Sequence, residues 1–334
     1  MHVSTATLTR AARDQGYAVP AVNVFDEVSM RAVVEAADAA AAPMIVQVSV
    51  KTVRTVGTAL LTATFEAVTR DSKVPVALHL DHCPDRSVID EVVAAGWSSV
   101  LFDASDRDLE DAVRETTEVV AQAHAAGVDV ESEIENILGV EDGVGSDVAV
   151  HAYSVEQLAE VADRTGADLL APQLGTSHGA YKFSRKPTGD ILAISRVKEI
   201  HARIPNTHLV MHGSSSVPQE WLAIINEFGG DLGETYGVPV EEIVEGIKHG
   251  VRKVNIDTDL RLASTGAIRR FLAQNPKEFD PRKYLKVSTD AMRDICIARY
   301  EAFGACGQAA KIKPVSLDAM ANLYLKGQLA QIVK

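Results

Sequence analysis

VALHLDH (76–82) is the stretch on which the reading of this chain turns. It is a short run of strand-forming residues that ends abruptly in an acid and an imidazole, Asp81 and His82. Runs of the same make recur on both sides of it: AVPAVNV (18–24), MIVQVSV (44–50), SVLFDAS (99–105), VDVESEI (128–134), LLAPQLG (169–175), HLVMHG (208–213) and VRKVNID (251–257). Ala-rich amphipathic stretches lie between them, at 29–41, 86–95, 109–126 and 154–164 among others. Short apolar runs alternating with longer helical patterns imply a parallel sheet with crossover helices. Eight such units favour closure, so the expected fold is α/β, a (β/α)8 TIM barrel with a C-terminal helical extension. An extra segment, 229–248, precedes the eighth run. Helices are expected after it from 263, over 284–303 and from 317, filling out 263–334. No repeat or linker divides the chain, which reads as a single barrel domain over 1–334.

Of 334 residues, 46% are hydrophobic and 24% charged, an ordinary balance for a globular enzyme with a large core. The formal net charge of −13 argues against nucleic-acid partners and against attraction to an anionic membrane. Any phosphate site must therefore be built locally. Cys83, Cys296 and Cys306 show no paired or metal-type spacing, which fits a reducing compartment. The opening MHVSTATLTRAARDQGY lacks the apolar core of a signal peptide, and no long apolar run follows, so a cytoplasmic protein is expected.

The chemistry-bearing residues gather where the runs end. Asp81 and His82 close the third run, Asp103 the fourth, Glu133 the fifth; His178 follows the sixth, His212 ends the seventh and Asp257 the eighth. Barrel enzymes build their sites at the carboxyl ends of the strands. Three imidazoles arriving from three strands suit a catalytic metal with an open position. Neutral ligands leave the ion's charge available for Lewis-acid work. His2, His124, His151, His201 and His249 fall on helices or loops and read as surface or packing residues. Alternation puts His79 on the same face as Asp81, where it supports the site. LGTSHGAYK (174–182), HGSSS (212–216) and NIDTD (255–259) put small residues after neighbouring strands, as phosphate cradles need.

At these residues the chain resembles the class II fructose-bisphosphate aldolase family over nearly its whole length. The motifs that carry the resemblance are AVNV (21–24), QVS (47–49), LHLDH (78–82), EDGVG (141–145), GTSHGAYK (175–182), MHGSSSVP (211–218), VNIDTD (254–259) and DPRKY (280–284). The stretch 175–314 is similar to the subgroup of carbon-fixing and glycolytic bacterial enzymes. The resemblance implies one zinc ion per subunit on His82, His178 and His212, with Glu133 near the metal and a monovalent cation left open. It implies Asp81 as the acid/base beside the first ligand and Glu141, on a mobile loop, as the group that moves a proton at carbon. Phosphate contacts fall on Gly179, Gly213 and Ser215, with Lys182 nearby. Other substrate contacts fall on Asn23, Ser49, Asn255, Asp257 and Thr258. Arg282 looks like the residue that reaches the second phosphate, in some members from a neighbouring subunit. The expected substrate is fructose 1,6-bisphosphate, cleaved to dihydroxyacetone phosphate and glyceraldehyde 3-phosphate by a homodimer or homotetramer. Tagatose 1,6-bisphosphate or another phosphorylated ketose is the alternative.

Two stretches depart from the family pattern. EIENILGVEDG (133–143) puts Glu135 where a glycine is expected, which implies a stiffer loop and an added charge near the metal. VKTVRTVG after Ser49 differs from the small-residue sequence of the carbon-fixing subgroup. Two rival chemistries fare worse. A Schiff-base aldolase needs a buried strand-end lysine, and Lys51 and Lys182 read as loop residues. A metal-dependent hydrolase usually has an H-x-H pair on its first strand, which this chain lacks.

Overall fold

The computed structural model describes residues 2–327 apart from 138, 142–143, 147–150, 180–182, 184–185 and 190; at 140, 141 and 144–146 it describes the backbone alone. The strands are β1 (Val19–Asn23), β2 (Met44–Ser49), β3 (Val76–Cys83), β4 (Ser99–Asp103), β5 (Asp129–Glu133), β6 (Gly139–Glu141), β7 (Val144–Ser146), β8 (Leu169–Leu170), β9 (His208–Met211) and β10 (Val251–Ile256). Eight of them close a parallel barrel in the order β1-β10-β9-β8-β5-β4-β3-β2, while β6 and β7 form a separate antiparallel hairpin. The pairing sets Ser49 level with Asp81 and Asp103 level with Glu133, so the polar strand ends share one rim. The sixth run contributes only two residues to the sheet, fewer than its length suggested. Pro172, just beyond, has no N–H for a ladder bond, and the chain leaves the barrel there.

The helices are α1 (Thr5–Gln15), α2 (Glu27–Ala40), α3 (Val50–Val56), α4 (Thr58–Thr69), α5 (Arg86–Ala94), α6 (Leu109–Ala125), α7 (Val155–Thr165), α8 (Ile194–Arg203), α9 (Gln219–Glu227), α10 (Val240–Lys248), α11 (Thr258–Gln274), α12 (Pro281–Ala302) and α13 (Leu317–Leu325). Their starts are chemically marked. Asp26 and Ser154 make reciprocal capping boxes with Ser29 and Gln157, and Asp280 with Pro281 opens α12. Helix α11 begins at Thr258, five residues ahead of the expected 263, directly off the end of β10. Helix α10 occupies the extra segment, and α12 packs on α2 and α11, with the Tyr300 hydroxyl donating to the Val33 carbonyl. No helix among the described residues is long and apolar enough to cross a membrane.

The amino end of the barrel is closed by two helices that the strand–helix rhythm does not contain. Helix α1 lies across it: the Ala6 N–H donates to Asp129 Oδ2 at 2.7 Å, and Thr5 Oγ1 meets Ser99 Oγ at 2.6 Å. Helix α13 is held by Tyr324, whose hydroxyl sits 2.6 Å from Asp129 Oδ1 and 2.7 Å from Asp168 Oδ1. His124 stacks on the Tyr324 ring and faces Asp168 Oδ2 at 2.8 Å. One phenolic proton cannot serve two carboxylates at once. Burial and the neighbouring Asp168 charge push the Asp129 carboxyl up to about 7. A carboxyl raised on folding binds protons that the unfolded chain releases, so its contribution is full at low pH and is lost as pH climbs through the folded value. Asp129→Asn removes that linkage. Its melting temperature should therefore gain on that of the parent as pH rises from about 4 to about 7. A difference that stays constant across the window would contradict the assignment.

Candidate active site at the carboxyl rim

Strand β3 delivers the centre of the site. Its register with β4 shifts between Leu80 and Cys83, and His82 there takes a left-handed backbone conformation, φ 44°. A non-glycine residue in that region is strained by roughly 1–3 kcal/mol, and such bulges re-aim side chains at the rims of barrels. The ligand-capable atoms of His82, His178 and His212 lie within 4.8 Å of one another. His82 Nε2 faces His212 Nδ1 at 2.9 Å. His82, Asp103 and Glu133 form a second group that shares the same imidazole, with Glu133 Oε2 at 3.1 Å from His82 Nδ1.

Beneath the rim the barrel interior is polar and tightly paired. Glu131 Oε1 accepts a hydrogen bond from His212 Nε2 at 2.6 Å, which leaves the lone pair of Nδ1 to face His82. Lys253, wholly buried, meets Glu131 Oε2 at 2.8 Å and donates to Asn255 Oδ1 at 2.9 Å. The Asn255 amide nitrogen lies 3.0 Å from His212 Nδ1 and 3.4 Å from Asp81 Oδ1. Asn23 donates to Asp81 Oδ2 at 2.8 Å and is itself held by Gln47, also at 2.8 Å. His79 takes the supporting place expected of it, with Nδ1 on Ser99 Oγ at 2.7 Å and Nε2 3.6 Å from Glu131.

Electrostatics follow from this packing. Burial drives the His212 imidazole well below its ordinary value, and the neighbouring His82 and Lys253 add to that. Burial acts the same way on His82, but the carboxylates of Asp81, Glu133 and Asp103 outweigh it and hold the ring well above its ordinary value. Burial pushes Glu133 up to about 7, against the pull of His82. Two imidazole nitrogens face to face need a proton or a cation between them. A set of three imidazoles fits a divalent ion of borderline softness.

The narrow pocket at the mouth is lined by Asn23, Asp81, His82, His178, His212, Gly213, Ser214, Ser215, Asn255 and Asp257. Nine of these ten were singled out from the sequence; Ser214 was not. Glu133 stands behind His82, and Ser49 caps α3 from the end of β2. Gly179 (φ 81°) accepts a hydrogen bond from Thr258 Oγ1 at 3.3 Å. Arg282 does not line this pocket: its side chain is 89% exposed and paired with Asp280 at 2.7 Å. The Glu141 backbone ends β6, while its side chain and all of Lys182 lie outside the described residues. Sequence reasoning missed Gln47, Glu131 and Lys253. The signal was available in the period-two alternation of VDVESE and VRKVNID, which puts Asp129, Glu131 and Glu133 on one face, and Lys253 and Asn255 on another.

A closed (β/α)8 barrel with three convergent imidazoles and an aspartate at its carboxyl rim is the framework of a metal-dependent barrel enzyme. Residues 3–308 match the model of the family described as fructose-bisphosphate aldolase class-II. A fructose-bisphosphate aldolase of Pseudomonas aeruginosa is 54% identical over 98% of both chains. One from Xanthobacter flavus is 47% identical over 99% of both. The crystal structure of the YdjI aldolase from Escherichia coli K12 superposes with a TM-score of 0.74 over 92% of this chain and 100% of that one; at 24% identity the likeness speaks for the fold. The chain belongs to the class II fructose-bisphosphate aldolase family and is an aldolase.

Gly213, at φ 61°, lets the end of β9 approach the segment that carries His178. A Cβ built there would sit 2.7–2.8 Å from backbone atoms of Ser177. Gly213→Ala should lower stability by about 1–3 kcal/mol and shift His178. Thermal melting and metal content after dialysis measure this; parental values for both would refute it.

Proposed function

We propose that this aldolase reversibly cleaves fructose 1,6-bisphosphate to dihydroxyacetone phosphate and glyceraldehyde 3-phosphate, using one zinc ion held by His82, His178 and His212. The observation that carries the reading is the placement of Asp81 beside three clustered imidazoles, in a chain whose curated relatives bear that aldolase's name over their full length. A divalent ion bound there supplies Lewis-acid stabilisation of the negative charge that develops on the departing fragment.

The chain's own residues do the rest. Asp81 takes the proton of the C4 hydroxyl as the carbon–carbon bond opens. Asn23 and Asn255 each donate to one of its oxygens, which holds the carboxylate in a single orientation. Glu141 returns a proton to the carbon left behind. Gly179, Gly213, Ser215, Asp257 and Thr258 bind the phosphate and hydroxyl groups, with Ser49 and Lys182 as further substrate contacts. Arg282, exposed on α12, is available to a neighbouring protomer's substrate in a homodimer or homotetramer. The protein is one barrel domain with a helical extension, acting in the cytoplasm without nucleic-acid or membrane partners.

A coupled cleavage assay on fructose and tagatose bisphosphates, with chelator and with added zinc, tests the reading. Activity should fall with chelator and return with zinc; activity that survives chelation but is lost on borohydride trapping would sink it. Asp81→Ala should reduce kcat by roughly 10²–10⁴-fold with a smaller effect on binding. His212→Ala should lose its metal on dialysis.

A further inference from the structure

Glu135 lies just past the end of β5 and is 1% exposed. Its carboxylate is bound on every side. Oε1 accepts from the Tyr153 N–H at 2.8 Å, and Oε2 from the Gln173 N–H at 2.9 Å. Arg196, on α8, reaches both oxygens from Nη2, at 2.7 and 3.0 Å. The same guanidinium donates to the carbonyls of the same two residues, Tyr153 at 3.0 Å and Gln173 at 3.1 Å. Each of these two backbone segments thus gives its N–H to the acid and its C=O to the base. The charge introduced at 135 is neutralised where it stands rather than delivered to the imidazoles.

What the pair ties together is specific. Tyr153 ends the excursion that begins after β5, and Asn136 narrows its neck by accepting from the His151 N–H at 3.4 Å. The hairpin β6–β7, whose last β6 residue is Glu141, lies within that excursion. Gln173 starts the segment that runs to His178, and its side chain holds Gly175 N–H at 2.6 Å. The two segments meet again beyond the clamp: a Cβ on Gly139 would come within 2.5 Å of the His178 carbonyl.

We infer that the Glu135–Arg196 pair is a positioning device for catalysis. It sets the root of the Glu141 loop against the His178 segment, so that the group that moves a proton at carbon and one ligand of the metal share a single buried anchor. This rests on the roles proposed above for Glu141 and His178. A pair that served stability alone would lower melting temperature without singling out one step.

The test compares Glu135→Gln, Arg196→Met and the double variant with the parent and with Glu141→Gln, all loaded with zinc and assayed below their melting temperatures. In Glu135→Gln, kcat should fall by roughly 10- to 100-fold, as a displacement of about 1 Å at a reacting group does, while KM stays within about twofold. Exchange of solvent deuterium into dihydroxyacetone phosphate, which reports protonation at carbon alone, should fall in parallel. The double variant should be no worse than the poorer single one, because the two side chains act as a unit. Should Glu135→Gln fail to fold, Arg196→Lys, which keeps the charge and loses the fork, carries the same readouts. Full exchange in Glu135→Gln beside lost exchange in Glu141→Gln would overturn this inference alone. Full exchange in Glu141→Gln would instead overturn the reading on which it stands.

Discussion

The ion pair between Lys253 and Glu131 is the interaction on which the rest of the site depends. Both side chains are wholly buried in the barrel, 2.8 Å apart. Two charges withdrawn from water are costly, and removing one partner of such a pair destabilises a protein by roughly 3–5 kcal/mol. The pair persists because each member has further work. Glu131 takes a hydrogen bond from His212, and Lys253 gives one to Asn255, which in turn touches His212 and Asp81. Remove the buried charge and the imidazole and the aspartate above it lose their bearings together.

This arrangement explains why so much of the fold was readable and some of the site was not. Strand positions follow from periodicity, and β2, β3, β4, β5 and β10 fall within a residue or two of the runs that announced them. The rim residues were equally visible, because an acid or imidazole at the end of an apolar run stands out against its neighbours. Glu131 and Lys253 sit in mid-strand, where a charged residue ordinarily signals an exposed face. Alternation with the rim residues Glu133 and Asn255 marks their inward direction, but the partnership of Glu131 with Lys253 appears only once the barrel has closed. The brevity of β8 comes from Pro172, and the early start of α11 from the chain turning straight off β10; neither leaves a trace in hydrophobic spacing.

Glu135 shows the same limit from the other side. Read along the sequence, it adds an acid within two residues of Glu133 and so threatens the electrostatics of the imidazoles. Its neutralising partner, Arg196, is sixty-one positions away on a helix that the sequence does not connect with this loop. Local pattern reveals that a charge is present; only the tertiary arrangement reveals where its field ends.

Closure of the barrel floor by α1 reaches further than packing. The His79 ring, its charged form suppressed by burial, sets Nδ1 2.7 Å from Ser99 Oγ, while Nε2 stands 3.6 Å from Glu131 Oε2, beyond hydrogen-bonding reach. Ser99 Oγ in turn meets Thr5 Oγ1 at 2.6 Å, and its one hydrogen serves either the ring or the threonine. The Ser99 hydroxyl therefore joins the buried ring beneath the mouth to the first turn of the N-terminal helix. A histidine in the heart of the enzyme is thus linked, through one serine, to a threonine five residues into the chain.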